Sequence, residues 1–252
     1  MAHKQCPFVW HDLLTHNVKA AKRFYAKVLG WTYMLQDEDY HVTMVSDHGV
    51  GGIMQAPEYL QKMPPFWSAY ILSHDADKTC KRASDLGGII FRAPWDIPGV
   101  MRMAVIADPT GGIFNILQPL GDRDEAPLAA GTQGTVAWHE LYTVDLDLAW
   151  DFYVKLFGWS KGDIFDMGEA GRYQTFKVGG SPAGAMLLKQ HKLPRPMWLN
   201  YFSVKSIKAA TARVQKAGGT IVSEAQKLPT GLWTVFGEDP QGGHFQLASL
   251  NP

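Results

Sequence analysis

A 22-residue segment occurs twice in this sequence, and that duplication constrains the fold more than any other feature. Residues 10–31 read WHDLLTHNVKAAKRFYAKVLGW, and residues 138–159 read WHELYTVDLDLAWDFYVKLFGW. Ten of the 22 aligned positions are identical at an offset of 128 residues. DPTGGIF at 108–114 matches DPQGGHF at 239–245 at an offset of 131 residues, and two Gly-Gly segments match at the same offset. We therefore predict two structurally equivalent repeats.

The repeats are separated by a segment of different composition. Residues 119–135, PLGDRDEAPLAAGTQGT, are rich in Gly, Pro, Ala and charged residues and have no sustained apolar period. Such composition is typical of a linker. The predicted organisation is a first module region at 1–118, a linker at 119–135 and a second module region at 136–252.

Each repeat is predicted to be α+β. The apolar segments 8–14 and 136–142 favour strands, Asn17 and Asp145 are suited to helix N-caps, and Gly30 and Gly158 are suited to helix ends. Short strands are predicted at 40–46 and 50–55 and at 172–178 and 183–188. Each repeat is completed by another strand, a helix at 76–86 or 206–217, and three further strands. The order is βαβββ twice over, with helices on one face of a mostly antiparallel curved sheet.

Composition argues against some partners and compartments. Lys+Arg and Asp+Glu both number 24, so there is no broad basic field for nucleic acid or an anionic membrane. No run of 18 apolar residues is present, and the N-terminus does not resemble a signal peptide. The two cysteines, Cys6 and Cys80, do not form a disulfide or zinc pattern. We expect a cytoplasmic protein.

The FYxKxxGW helix endings, the Gly-Gly segments and the DPxGG turns resemble the vicinal oxygen chelate superfamily. This superfamily includes glyoxalase I, bleomycin-resistance proteins and extradiol dioxygenases. The resemblance covers nearly the whole chain, and it implies paired βαβββ modules that curl into a cup-shaped cavity for a small molecule and a divalent metal. It also implies a monomer that mimics a dimer of single modules, or a homodimer.

The resemblance also allows the family's metal-ligand positions to be compared with the residues of this sequence. The family takes its ligands from the first, fifth and eighth strands, and those positions hold Trp10 and Trp138, Ser68 and Leu199, and Asn115 and Gln246. Tryptophan and leucine do not bind metals, and a neutral amide binds them weakly. We therefore expect no cofactor, although a divalent metal remains an alternative.

Strand alternation separates the acidic and imidazole side chains of WHDLL and WHELY. Leu13 and Leu141 match a leucine that family members pack under the helix, so His11 and His139 are predicted to face the helix as well. Trp10 and Asp12, like Trp138 and Glu140, would then face the cavity. A one-residue slip in register would reverse this, and His11 and His139 could then hold a metal with Asn115 or Gln246.

Two functions stay open, besides a structural or regulatory protein whose cavities are filled by its own side chains. The first is a protein that binds a small organic molecule without the usual metal. The alternative is a metal-dependent lyase, isomerase or dioxygenase that uses His11 and His139, so enzymatic activity is left undecided. Asp12 and Glu140 are candidate general bases, because a carboxylate beneath tryptophan is suited to proton transfer. The candidate ligand-binding residues are Trp10, Trp138, His41, Tyr70, Tyr173, Tyr201, Asn115 and Gln246.

Overall fold

The computed structural model describes residues 5–121, 128–189, 193 and 195–252, so the middle of the predicted linker, residues 122–127, lies outside them. The first repeat contains β1 (Phe8–Thr15), α1 (Val18–Leu29), β2 (Thr32–Asp37), β3 (Tyr40–Val45), β4 (His48–Gln55), β5 (Phe66–Leu72), α2 (Ala76–Asp85), β6 (Ile89–Ile97), β7 (Met101–Ala107) and β8 (Ile113–Pro119). The second contains β9 (Val136–Thr143), α3 (Leu146–Phe157), β10 (Ser160–Asp166), β11 (Arg172–Val178), β12 (Ser181–Leu188), β13 (Met197–Ser203), α4 (Ile207–Lys216), β14 (Thr220–Ile221), β15 (Gln226–Lys227), β16 (Trp233–Glu238) and β17 (His244–Ser249). Short 3-10 helices cover Glu58–Leu60 and Gly168–Ala170.

In the described part of the chain, these elements form four βαβββ modules. Module 1 runs from β1 to β4, module 2 from β5 to β8, module 3 from β9 to β12 and module 4 from β13 to β17, where β15 is an additional short strand. The first strand of each module pairs in parallel with the last, and the other strand pairs within a module are antiparallel. The sheets are therefore mixed, and the predicted α+β fold of tandem βαβββ modules is confirmed.

The chain divides into two compact units, and each takes segments from both repeats. Unit 1 comprises Met1–Val9, Ala69–Asp124 and His139–Leu199, and it holds the strand orders β5-β8-β7-β6 and β10-β11-β12-β9. Unit 2 comprises Trp10–Ser68, Glu125–Trp138 and Asn200–Pro252, with the orders β2-β3-β4-β1 and β13-β17-β16-β14. The boundaries 1–118, 119–135 and 136–252 follow the sequence repeat and stay a prediction.

The duplicated sequence builds equivalent helices in the two repeats. The side chain of Asn17 accepts from the backbone N–H of Ala20, and Asp145 does the same for Leu148. Gly30 and Gly158 end their helices at φ 83° and 71°, in the left-handed region that glycine adopts without strain. The predicted caps and helix ends are therefore confirmed at both sites.

Two edge strands were missed by sequence reasoning. In β2 five of the six residues are exposed, and in β10 the seven residues are exposed or half-buried. A strand without a buried face lacks the period-2 pattern that identifies strands, so neither segment gives a signal. In the second repeat the strand after α4 covers only Thr220–Ile221, and the short strand β15 follows it.

Each unit joins the tyrosine of one FY motif to the DPxGG turn of the other repeat. Tyr25 donates to Asp239 at 3.1 Å in unit 2, and Tyr153 donates to Asp108 at 2.9 Å in unit 1. Burial raises the pKa of both phenols well above the usual value, and the nearby carboxylate raises it further, so both phenols keep their protons. These pairs explain why both motifs occur twice.

The phenylalanine of the same motif packs on the Gly-Gly segment of the other repeat. A Cβ on Gly219 would lie 2.7 Å from the ring of Phe24, and one on Gly88 would lie 3.0 Å from the ring of Phe152. A larger residue would push the ring away from the helix end. The repeated sequence thus encodes contacts that hold two modules together inside a unit.

None of the helices in the described segments has the length and hydropathy needed to cross a bilayer.

Candidate functional site

The first strand of each repeat carries a buried carboxylate on the sheet face that points away from the helices. Leu13 and Leu141 belong to the helix-side cores of units 2 and 1. Because neighbouring residues of a strand face opposite sides, Asp12 and Glu140 lie on the other face. They are 4% and 1% exposed. Buried carboxylates need hydrogen-bond donors, and each is supplied with aromatic ones.

The Asp12 cluster, in unit 2, consists of Asp12, Trp10 and Tyr40. Tyr40 Oη donates to Asp12 Oδ1 at 2.7 Å, and Trp10 Nε1 lies 2.9 Å from the same oxygen. Trp10 Nε1 is also 2.8 Å from Tyr40 Oη, so the indole N–H is shared between the phenol and the carboxylate. The three groups form a closed triangle that fixes the orientation of the carboxylate.

A glycine makes room for this triangle. Gly52 on β4 pairs with Asp12, and a Cβ at this position would lie 2.2 Å from Tyr40 Oη and 2.4 Å from Asp12 Oδ1. Both distances are far below van der Waals contact, so the phenol reaches Asp12 by crossing directly over Gly52.

The Glu140 cluster, in unit 1, consists of Glu140, Tyr142 and Tyr173. Tyr173 Oη donates to Glu140 Oε1 at 2.6 Å, and Tyr142 Oη donates to Oε2 at 3.0 Å. Each carboxylate oxygen therefore has its own phenol donor. Tyr173 is 1% exposed, and its ring lies 6.4 Å from that of Phe165.

The other predicted ligand-binding residues form two equivalent pairs. Tyr70 pairs with Asn115 between β5 and β8 in unit 1, and Tyr201 pairs with Gln246 between β13 and β17 in unit 2. The four side chains are buried. Their strand neighbours belong to the helix-side cores, so the pairs lie on the opposite face. Trp138 on β9 is also buried, at 5% exposure.

His41 lies on the face of β3 opposite to the Asp12 cluster. Its Nδ1 lies 3.1 Å from Lys22 Nζ on α1, whereas its neighbour Tyr40 reaches Asp12 from the other face of β3. The strand pairing identifies the residue of the first repeat that is equivalent to Tyr173. Tyr40 pairs with Met54 and Tyr173 with Leu187, so Tyr40, and not His41, is the equivalent of Tyr173.

Sequence reasoning therefore missed Tyr40 and Tyr142. Tyr142 follows Glu140 by two residues on one strand, so alternation alone could have placed it beside the carboxylate. Tyr40 could not be found this way, because the segment between α1 and Tyr40 is shorter than the one between α3 and Tyr173, and only the strand pairing shows that the two tyrosines are equivalent.

A family model matches both repeats. The Glyoxalase/Bleomycin resistance protein/Dioxygenase superfamily model aligns with residues 8–116 and again with 135–247. The chain belongs to this superfamily. The resemblance seen in the FYxKxxGW and DPxGG motifs is thus confirmed for both repeats.

Two relatives of known name match almost the whole chain. CFP32 of Mycobacterium tuberculosis, which carries a provisional glyoxylase name, is 29% identical over 253 residues, covering 96% of this chain and 94% of that protein. The anthracycline biosynthesis protein DnrV of Streptomyces peucetius is 30% identical over 267 residues, covering 96% of this chain and 92% of that protein. The superfamily thus includes full-length relatives named for different activities.

Solved structures of the superfamily share the fold. The Mn(II)-bound glyoxalase from Novosphingobium aromaticivorans has a TM-score of 0.68 at 14% identity and covers 99% of this chain and 84% of that one. The 2,3-dioxygenase LapB from Pseudomonas has a TM-score of 0.68 at 14% identity, covering 98% and 93%. The fold therefore accommodates a divalent metal in at least one relative.

The residues of this chain at the superfamily's ligand positions do not fit such a metal. Trp10 uses its indole N–H to bind Asp12 and Tyr40, and an indole cannot coordinate a cation. The amide nitrogen of Asn115 lies 3.4 Å from the carbonyl of Ala69. Within residues 5–121, 128–189, 193 and 195–252, no three His, Cys, Asp or Glu side chains cluster closely enough to hold an ion.

The imidazole of His139 is packed on the side of the strand opposite to Glu140. Its ring stacks on Phe8 with centroids 3.8 Å apart, and Nδ1 lies 3.2 Å from the carbonyl of Ala183, to which it donates. Burial lowers the pKa of His139 to about 3, so the ring stays neutral. His11 is likewise buried, and alternation places it on the Leu13 side of β1.

Proposed function

We propose that this superfamily member binds a small organic molecule on the sheet faces that carry the Asp12 and Glu140 clusters, without the divalent metal of its metal-binding relatives. One observation carries the proposal. At equivalent places in both repeats, a buried carboxylate is oriented by aromatic N–H or O–H donors, on the face where the superfamily's ligand positions lie. Such groups offer hydrogen bonds and aromatic surface, and they offer few metal-binding atoms.

The ligand class that fits these groups is a neutral aromatic molecule with hydroxyl groups. In unit 2, Trp10 and Tyr201 supply ring surfaces and Asp12 can accept a hydroxyl proton in a hydrogen bond. In unit 1, Tyr70 supplies a ring and Glu140 the acceptor. The name of the Streptomyces relative supports this class, since anthracyclines are hydroxylated polycyclic aromatic compounds.

A second candidate function is proton transfer by Glu140 or Asp12 acting as a general base. The short contact of 2.6 Å between Tyr173 Oη and Glu140 favours it, because a phenol and a carboxylate at this distance can pass a proton between them. Here Tyr173 would position Glu140, and the bound molecule would supply the carbon or oxygen acid.

The proposal is tested by calorimetric titration of the full chain with a neutral dihydroxyanthraquinone after dialysis against a chelator. We expect saturable binding that chelation leaves unchanged. Trp10→Leu removes both the indole surface and the N–H, so it should weaken binding by about tenfold. The matched control is Trp95→Leu, because Trp95 stacks on Arg92 and lies outside both clusters.

Metal analysis of the same preparation separates the alternatives. Stoichiometric metal that disappears in a His11→Ala, His139→Ala double variant would establish the metal-dependent alternative and overturn the proposal. Turnover of a ligand by the chelated protein, abolished by Glu140→Gln with binding retained, would establish the second candidate function.

A further inference from the structure

A shallow, open surface groove bordered by cationic residues lies between α1 and the strands β2 and β3 in unit 2. Its volume is about 470 Å³. The α1 cleft, as we name it, is lined by Lys19, Lys22, Arg23, Tyr33 and His41, together with the small apolar side chains Val18 and Ala26. Small-molecule sites usually range from about 300 to 1,000 Å³, so the volume suits a small organic ligand. The accessible surface of the cleft is mostly apolar, and three of the seven lining residues are cations.

The three cations of the cleft are not neutralised by neighbouring carboxylates. Among the ion pairs of the described segments, none includes Lys19, Lys22 or Arg23. Like charges one helical turn apart repel one another, which disfavours this arrangement unless a negative charge is bound between them. The cleft therefore has a net attraction for anions.

Lys22 is held in position by two neighbours in the lining of the cleft. Its ammonium group donates to His41 Nδ1 at 3.1 Å and lies 5.2 Å from the centroid of the Tyr33 ring. Tyr33 Oη in turn donates to the backbone carbonyl of Lys22 at 2.8 Å, which fixes the ring against α1. A lysine that is already ordered loses less conformational entropy when it binds a ligand.

His41 adds a neutral donor to the same place. An ammonium group can only donate, so His41 Nδ1 accepts and the ring proton of the neutral imidazole is on Nε2. Burial and then the charge of Lys22 lower the pKa of His41, which agrees with a neutral ring.

The second repeat shows that the fold does not require this charge. Asp147 and Asp151 replace Lys19 and Arg23, and they pair with Arg172 and Lys155. At the two central positions the cation and the ring are exchanged. Trp150 replaces Lys22 and Lys161 replaces Tyr33, with the Lys161 ammonium 5.2 Å from the indole centroid.

The equivalent surface of the second repeat is thus neutralised by its own ion pairs, and the buried ring of Trp150 occupies the centre. The same helix and strands form in both repeats. The fold of the first repeat therefore does not require its three unpaired cations.

We propose that the α1 cleft is a second ligand site, which binds a small organic anion through its phosphate, sulfate or carboxylate group. The anionic group would lie among Lys19, Lys22 and Arg23, where charge-assisted hydrogen bonds are strong. The apolar part of the ligand would pack against Tyr33. This site is separate from the Asp12 cluster, which lies on the other face of β3.

The test is a titration of the full chain with phenyl phosphate, followed by two-dimensional amide NMR. We expect saturable shifts at α1, β2 and β3, with weaker binding of inorganic phosphate, which lacks the ring, and of phenol, which lacks the charge. Lys22→Gln should weaken phenyl phosphate binding by about tenfold, as expected for the loss of one charge-assisted hydrogen bond. Lys22 is only half-buried, so the variant should fold, and thermal unfolding checks this.

Lys27→Gln is the matched control, because Lys27 lies in the last turn of the same helix and outside the cleft. It should change the affinity by less than about twofold, the size of a screened surface-charge effect. Equal weakening by both variants would reduce the site to general surface charge and overturn the proposal. Absence of saturable shifts at α1 up to about 10 mM ligand would also overturn it. Trp10→Leu should leave this binding unchanged, which keeps the test independent of the proposed function above.

Discussion

The Asp12 and Glu140 clusters occupy equivalent places in the two repeats, and they orient their carboxylates differently. Asp12 receives a phenol and an indole on one oxygen, whereas Glu140 receives one phenol on each oxygen. The tyrosine on the third strand of the module, Tyr40 or Tyr173, is common to both. The second donor differs, since Trp10 comes two residues before its carboxylate and Tyr142 comes two residues after.

The residue paired with each carboxylate on the neighbouring strand determines how closely the tyrosine can approach that strand. Glu140 is one methylene longer than Asp12 and pairs with Ala185, whereas Asp12 pairs with Gly52. A shorter carboxylate requires its phenol to come closer to the strand, and only glycine leaves that space. The repeats therefore keep one scaffold and one hydrogen-bonding role, while residue length and neighbour size have changed together.

The largest expected effect on this comparison comes from Gly52→Ala. The new methyl would lie 2.2 Å from Tyr40 Oη, so the phenol must leave Asp12 or the strands must separate. Overpacking of this kind costs about 1–3 kcal/mol, and the lost hydrogen bond to a carboxylate adds to it, so we expect about 3 kcal/mol of destabilisation in urea unfolding.

Ala185→Gly is the reciprocal control in the second repeat. It removes one methyl and adds backbone freedom without displacing Tyr173, so it should cost about 1 kcal/mol. Similar losses in the two variants would show that Gly52 is not required for the Asp12 cluster.

A smaller effect on stability is expected from the titration of His139, which lies on β9 and faces away from Glu140. The pKa of His139 is lowered by burial to about 3, below the value of about 6.5 in the unfolded chain. Between these values the unfolded state binds the additional proton, so stability is complete above about pH 6.5 and falls as the pH decreases towards 3. The loss between pH 7 and pH 5 should be about 2 kcal/mol.

His139→Phe keeps the stacking on Phe8 and removes the titration. Unfolding curves of the variant at pH 7 and pH 5 should differ less than those of the unchanged protein, by about the same 2 kcal/mol. An identical pH dependence in both proteins would mean that His139 is not buried in the neutral form.

The fold could be predicted from sequence, and the site only in part, for a physical reason. The helix caps, the Gly-Gly segments and the DPxGG turns depend on local backbone chemistry, which the residues themselves specify. The face of Glu140 followed from alternation along one strand. Tyr40 depended on the pairing of β3 with β4, because the segment between the first helix and the strand that carries this tyrosine differs in length between the repeats.

The pairing of Tyr25 with Asp239 was also outside the reach of sequence reasoning. The two residues are separated by 214 positions, and neither motif indicates its partner. The duplication showed that the FYxKxxGW and DPxGG motifs both occur in each repeat, and only the structure shows that they contact each other.

The smallest expected effect is the difference in stability lost when the tyrosine of each cluster is replaced by phenylalanine. Tyr173→Phe removes a phenol donor of the buried Glu140 Oε1 and should cost about 1.5 kcal/mol, the lower value for a hydrogen bond to a charged group. Tyr40→Phe should cost about half as much, because Trp10 Nε1 donates to the same Asp12 oxygen and can turn fully towards it. Urea unfolding of both variants measures the difference. The reverse order would show that the indole N–H does not compensate, and that the two carboxylates depend on their tyrosines in the same way.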